Sequence, residues 1–164
     1  MAWAAYLLLV RLITAGPVPT SLARVTEPSA QPLRVGLVQH AWNSDPDALQ
    51  QTLREGIASA AEAGARIVFL PELTMSRYPA DALPTGVPSA IAESLEDGPT
   101  IAFARETATA YGVHVHASLY ERADDTDGLG FNSAVLIDPS GALVARTRKT
   151  HIPVTAGYYE DKYF

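Results

Sequence analysis

The 164-residue chain contains no cysteine. That excludes disulfides, cysteine-ligated zinc, iron–sulfur clusters and a thiol nucleophile within these residues, and it is silent on compartment. Positive charge is scarce: 12 Lys and Arg against 18 Asp and Glu give a formal charge of −6. With no basic stripe, a nucleic-acid partner is not expected. Long hydrophobic runs are missing as well. The apolar run Ala2–Val10 has nine residues, whereas a membrane-spanning helix needs about 20. Neither a G-x-G-x-x-G phosphate loop nor a G-x-S-x-G nucleophile elbow occurs, so nucleotide chemistry and a substitute serine nucleophile are not indicated. What remains is a chain that is 48% apolar and 18% charged. That balance can bury a core, and the length suits one domain or part of one.

The first stretch does not read as fold. A secretory signal places positive charge ahead of its apolar segment, but here Arg11 follows it, and Ser21-Leu22-Ala23 makes a poor cleavage site. Pro17, Pro19, Pro28 and Pro32 interrupt a segment without apolar period. Residues 1–32 are therefore expected to be an unstructured leader or a misassigned start, and residues 33–164 the folded part. No internal repeat is present.

From there the pattern is α/β. Arg34–His40 reads as a strand rich in branched residues. Asp45-Pro46 supplies an N-cap and a proline at the first helical position, and Leu49, Leu53, Ile57 and Ala60 follow at helical spacing. Gly64 stands where a helix-ending glycine belongs. Arg66–Leu70 is a short strand stopped by Pro71, and strand–helix–strand predicts a parallel, right-handed unit. A second helix is expected over Thr100–Tyr111, ended by Gly112. Val113, Val115, Ala117 and Leu119 then alternate with His114, His116, Ser118 and Tyr120, which predicts a strand with unlike faces. Phe131–Ile137 and Ala142–Arg148 flank Asp138-Pro139-Ser140-Gly141, a type I turn sequence, and predict a hairpin ending at Lys149. Parallel and antiparallel elements together imply a mixed sheet with helices packed on it.

Two places carry chemistry. Glu72, in Leu70-Pro71-Glu72-Leu73, follows a buried-type strand, and sites in open α/β sheets lie beyond the carboxyl ends of strands. A carboxylate there is expected to be partly desolvated, which suits a base. Lys149 stands at another strand end, in Arg148-Lys149-Thr150-His151-Ile152-Pro153. Beside a glutamate it stays charged and stabilises a developing oxyanion. Glu160 lies eleven residues on, within the aromatic segment Gly157–Phe164, where Tyr158 and Tyr159 are candidates to line a substrate pocket. For each of these groups the plain alternative is a cap, a solvated run or packing.

In order and spacing, the early VGLVQ strand, LPEL, RKTHIP and GYYEDKYF together resemble the nitrilase, or carbon–nitrogen hydrolase, superfamily. Within it the last two motifs are most similar to N-carbamoylputrescine amidases and neighbouring N-carbamoyl amidohydrolases. The resemblance covers Leu33 to Phe164, about the first half of a family domain. It implies a four-layer α-β-β-α sandwich, of which this chain holds the N-terminal portion with its mixed sheet. It also implies a Glu-Lys-Cys mechanism without cofactor. Glu72 resembles the general base, Lys149 the residue that stabilises the tetrahedral intermediate, and Glu160 the second glutamate that positions substrate and lysine. The substrate is then an N-carbamoyl amine or an amide, the location cytoplasmic, and the full-length protein a homo-oligomer without nucleic-acid or membrane partners. Two departures stand out. The cysteine is absent, so truncation is inferred and the chain as given is expected to be inactive. Arg77 precedes Tyr78 where the family usually has glycine, and an arginine beside the pocket favours a carboxylate-bearing substrate over a cationic diamine.

Other readings stay open at this point. His114 and His116 project from one strand face and suit zinc or iron, with His40 or His151 as a third ligand, which would make a metal-dependent hydrolase. The plain alternative is a pair of polar-face histidines. Asp124–Asp127 hints at calcium, but Ala123 and Ala134 occupy ligand slots of an EF-hand frame, so a solvated loop is expected. A non-catalytic half-domain that binds a partner is the third possibility; half a sandwich leaves one sheet face uncovered and prone to association.

Overall fold

The computed structural model describes residues 12–14, 32–124 and 127–164. Apart from residues 12–14 and 32, the expected leader lies outside them, as do Asp125 and Thr126 of the acidic loop. No helix among the described residues is long and apolar enough to cross a membrane.

Five strands and two helices make the fold: β1 (Val35–Leu37), α1 (Pro46–Glu62), β2 (Ile67–Phe69), α2 (Pro99–Tyr111), β3 (His114–Arg122), β4 (Gly130–Ile137) and β5 (Leu143–Arg148). Short 3₁₀ turns at Pro79–Asp81, Pro88–Ile91 and Glu160–Lys162 complete it. The sheet order is β1-β2-β3-β4-β5. β1, β2 and β3 run parallel, and β4 and β5 add antiparallel, so the expected mixed sheet is what forms.

Local chemistry explains the boundaries. The Asp45 carboxylate accepts hydrogen bonds from the amides of Asp47 and Ala48 at 3.0 and 3.2 Å, satisfying two of the orphan donors that open α1. Gly112 ends α2 in the left-handed region at φ 66°, which glycine enters without a Cβ clash. The hairpin turn closes with the Gly141 amide donating to the Asp138 carbonyl at 2.9 Å, the bond a type I turn requires. β1 is shorter than expected, three residues rather than seven, because its partner β2 has only Ile67–Phe69 to pair with before Pro71 removes a donor.

Both helices pack on the same side of the sheet, α1 against β1 and β2, α2 against β3 and β4. Gly36 permits the closest approach: a Cβ there would stand 2.6 Å from that of Ala60 on α1. Leu49, Leu53, Ile57, Val68, Ile101, Val115, Leu119, Val135 and Ile137 form the core between helices and sheet, each 2% exposed or less. A second cluster, Leu73, Ala80, Ala92, Tyr120 and Tyr163, with Tyr78 and Phe164 packed against it, lies where β3 ends. Tyr120 belongs to the opposite strand face from Leu119, so this cluster covers one end of the second face. Elsewhere the cover on that face is graded: Ser118 and Asn132 are buried, Ile67, Phe69 and His116 are half-buried, and at the β1 edge Val35 is 46% and Leu37 78% exposed.

Candidate functional site

The carboxyl ends of β2 and β5 and the start of β4 lie at one edge of the sheet, and three side chains meet there. Lys149 Nζ donates to Glu160 Oε2 at 2.9 Å and stands 3.7 Å from Glu72 Oε1. Asn132 Nδ2 donates to that same Glu72 oxygen at 2.6 Å. The Tyr78 hydroxyl donates to the other oxygen of Glu160. One ammonium thus lies between two carboxylates, and each carboxylate is held by a further neutral donor.

Strand ends and one strained turn produce this arrangement. Pro71 stops β2, and Leu73 then adopts a left-handed φ of 48°, among the described residues the one non-glycine residue with positive φ. For a branched side chain that conformation costs about 1–2 kcal/mol. It is held by burial of Leu73, 2% exposed, and by Thr74. The Thr74 amide donates to the Ser118 carbonyl at 2.9 Å, its hydroxyl donates to the Pro71 carbonyl at 2.8 Å, and it accepts from the Ser118 amide at 3.1 Å. The Pro71–Thr74 turn is therefore fastened to β3, and strain beside a candidate base is a mark of a functional site. On the far side, the Lys149 amide donates to the Asn132 carbonyl at 2.8 Å, so both side chains leave the same face of adjacent strands.

The electrostatics follow from these contacts. The hydrogen bond to Glu160 is the main cause that raises the Lys149 ammonium above its ordinary range; partial burial works against it and Glu72 adds to it. Burial opposes the charge on Glu160, yet the hydrogen bonds from Tyr78 and Lys149 together hold its carboxyl below the ordinary range. Burial, and then the bond to Glu160, push the Tyr78 phenol well up, so it remains a donor. Glu72 departs from expectation in one respect. Its side chain is 53% exposed, so these residues do not desolvate it.

The remaining predicted residues fall around this centre. A cleft of about 350 Å³ opens beside Glu72, lined by His40, Trp42, Pro71, Leu73, Thr74, Ser76, Arg77 and Tyr78. Arg77 Nε donates to Asp81 Oδ2 at 3.1 Å, and the second Arg77 contact uses the same oxygen. Tyr158 is 52% exposed and sets its ring edge-on to Tyr78 at 6.3 Å. Tyr159 is half-buried, and its amide donates to the Ala80 carbonyl. Neither tyrosine lines the cleft. Asn132 and Thr74 were not singled out in the sequence; the signal available was a polar residue on an otherwise apolar strand, and a threonine two residues past Glu72. Among the described residues no group of three or more His, Asp or Glu is placed to hold a metal ion. His116 packs its ring 5.0 Å from Phe69 instead.

Comparison with known proteins shows the family and the fold. Residues 34–164 match the family model described as carbon–nitrogen hydrolase. A citrullinase from Francisella tularensis is 30% identical over 133 residues, 80% of this chain and 45% of that protein. An N-carbamoylputrescine amidase from Solanum lycopersicum is 29% identical over 130 residues, 79% and 42% of the two chains. Among solved structures, a carbon–nitrogen hydrolase from Helicobacter pylori G27 matches with a TM-score of 0.68 at 28% identity, over 80% of this chain and 44% of that one. An amidase from Nesterenkonia sp. AN1, seen with acrylamide added at its active-site cysteine, matches in fold with a TM-score of 0.58 at 22% identity, over 75% and 46%. The chain spans less than half the length of each of these relatives.

Proposed function

The chain belongs to the carbon–nitrogen hydrolase family, and on that premise we propose that it carries the acid–base half of a site that hydrolyses non-peptide carbon–nitrogen bonds. The observation that carries this reading is Lys149 Nζ between Glu160 at 2.9 Å and Glu72 at 3.7 Å. In the reaction, Glu72 takes the proton of a cysteine thiol contributed from outside these 164 residues. The thiolate attacks the carbonyl carbon of a carbamoyl or amide group. Lys149, kept cationic by its two carboxylates, stabilises the oxyanion of the tetrahedral intermediate. The intermediate collapses with loss of ammonia, carrying the proton held by Glu72. Water activated by the same glutamate then hydrolyses the thioester. Glu160 holds the lysine and is itself held by Tyr78.

Two of the relatives are named for ureido compounds, which supports an N-carbamoyl substrate. The distal end of the substrate is read from the cleft. Arg77 lines it, and a guanidinium there favours a substrate with a carboxylate at its far end over a simple diamine once that carboxylate takes the place of Asp81, which Arg77 now binds through Nε and Nη2.

The test is ammonia release from N-carbamoyl amino acids, N-carbamoyl diamines and simple amides, with and without the coding sequence beyond the Phe164 codon. The 164-residue chain should release none. A product extended to include a cysteine should release ammonia and lose at least about 100-fold on Glu72→Gln, the low end for an acid–base group. Turnover by the 164-residue chain itself, abolished by Glu72→Gln, would show that no external thiol is needed. A cysteine-containing product inert on every substrate would sink the reaction class.

A further inference from the structure

On the helix side of the sheet, directly behind Lys149 and Asn132, a buried carboxylate gathers two partly exposed arginines into a charge cluster that the proposed reaction does not use. Glu121, near the end of β3, has a side chain 3% exposed. Its carboxylate accepts from Arg146 Nη1 at 3.2 Å, from Arg148 Nε at 3.2 Å and again from Arg148 Nη2, and from the Ser133 hydroxyl. Arg148 also stacks on Phe131, its guanidinium carbon 3.6 Å from the ring centroid. One carboxylate thus ties β3 to both strands of the β4–β5 hairpin.

Register links this cluster to the site. Ser133 on β4 pairs directly with Arg148 on β5, and Leu119 on β3 pairs with Ser133. Side chains alternate along a strand, so the residues one step from Ser133 and Arg148, namely Asn132 and Lys149, project from the opposite face. Those two reach Glu72. A slip of β5 by one residue would turn Lys149 to the helix side and put Arg148 in its place. The Asp138–Gly141 turn fixes the register at the far end of the hairpin, but a register shift at Leu136/Ile137 intervenes, and no β5 side chain before Arg148 is buried to hold the end that carries Lys149. Buried ion clusters are weak sources of net stability, and fixing register is their best-attested use.

We propose that Glu121 is a positioning residue for the reaction: by gripping Arg146, Arg148 and Ser133 it fixes the register of β5 and so holds Lys149 against Glu72 and Glu160. The inference rests on the reading of Lys149 and Glu72 as catalytic groups. Its test does not require turnover.

The chain has two lysines, Lys149 and Lys162, and Lys162 pairs with its neighbour Asp161 on the surface, which makes it an internal reference. Trace acetylation followed by peptide mass spectrometry gives the ratio of their labelling rates at a fixed alkaline pH. Glu121→Gln should raise the Lys149/Lys162 ratio by about threefold or more, the change that half a pKa unit produces. Hydrogen exchange at the Lys149 amide should quicken by about tenfold while the amides of α1 and α2 keep their protection. A lowered melting temperature with an unchanged ratio would reduce Glu121 to a stabilising residue and overturn the proposal. If Glu121→Gln does not fold, Ser133→Ala and Arg146→Gln each remove one contact to the same carboxylate and should shift the ratio in the same direction; no shift in either overturns it. A shifted ratio together with an inert cysteine-containing product supports the positioning and defeats the reaction assigned to it.

Discussion

The two faces of this sheet differ most toward its β1 edge. On the helix side, Val68, Val115, Leu119, Val135 and Ile137 are at most 1% exposed. On the other side, Val35 and Leu37 are 46% and 78% exposed, though no less apolar. Gly36 separates them and points at Ala60 on α1. Strand alternation decides which side a residue joins; an amphipathic helix decides whether that side is dry. Apolarity alone decides neither. The family's four-layer sandwich sets a second sheet against such a face, and this chain spans 45% of the citrullinase it matches. The candidate site lies at the rim of the open face, which is why Glu72 keeps half its surface in solvent.

The sharpest way to break the comparison is to truncate one residue on each face. Ile57 is fully buried between α1 and the sheet, so Ile57→Ala should cost about 2–5 kcal/mol of unfolding free energy. Leu37→Ala should change it by no more than about 0.5 kcal/mol, as surface substitutions do. Urea unfolding of both variants measures this. Equal losses would mean that the second face is covered in solution, and that self-association of the chain is doing the covering.

Part of the second face is already closed, and the next prediction is aimed there. Tyr78, Tyr120, Tyr163 and Phe164 pack where β3 ends, and Tyr78 donates to the nearly buried Glu160. Tyr78→Phe keeps the ring and deletes the donor to an ionised acceptor, which should cost about 1–3 kcal/mol. It should also raise the resistance of Lys149 to labelling, since Glu160, left without its second partner, pairs more closely with the ammonium. Stability unchanged within error would show that solvent reaches Glu160 and that the rim is as open as Leu37.

His116 probes the middle of the open face. It is half-buried beside Phe69, its Nδ1 is without a protein partner, and burial holds its imidazole below the ordinary 6.5. The folded state then binds a proton less readily than the unfolded chain. Stability from this group is present above pH 6.5 and is lost as pH falls through the folded value. His116→Phe should flatten that acid-side loss between pH 7.5 and pH 5 relative to the parent. A parent curve that already runs parallel to the variant's would place the imidazole in water.

Much of this was legible in the sequence. Asp45-Pro46, Gly64, Gly112 and the Asp138–Gly141 turn mark their elements because capping and turn chemistry is local. Glu72 and Lys149 stand out because each follows a strand at its carboxyl end. The links among site residues were not legible, because they join distant positions: Asn132 reaches Glu72 across 60 residues, and Tyr78 reaches Glu160 across 82. Only the sheet order brings those residues together. The same holds for Glu121, whose partners lie 12 to 27 residues away on two other strands; a glutamate ending a strand reads as a solvated residue until the hairpin folds over it. The 3₁₀ turns between Pro79 and Ile91 have no period to read.

The smallest effect belongs to the outer surface of the covered face, where charge rather than burial joins the helices. Arg54 on α1 makes paired hydrogen bonds to Glu106 on α2 at 2.7 and 2.8 Å, and its guanidinium lies 5.1 Å from the Phe103 ring centroid. Glu106 is 60% exposed, so screening by water limits what the pair contributes to about 0.2–1 kcal/mol. The hydrogen bond from Arg54 lowers the Glu106 carboxyl below its ordinary 4.5. The contribution is therefore complete above pH 4.5 and is lost as pH falls through the folded value. A double-mutant cycle with Arg54→Met and Glu106→Gln at pH 7 should give a coupling within that range, shrinking in high salt. Arg54→Met alone should cost somewhat more than Glu106→Gln, because it also gives up the stacking on Phe103. A coupling above about 2 kcal/mol, well beyond what exposed pairs measure, would mean that the helices are held to each other as firmly as to the sheet, and that the covered face owes its dryness to more than apolar packing.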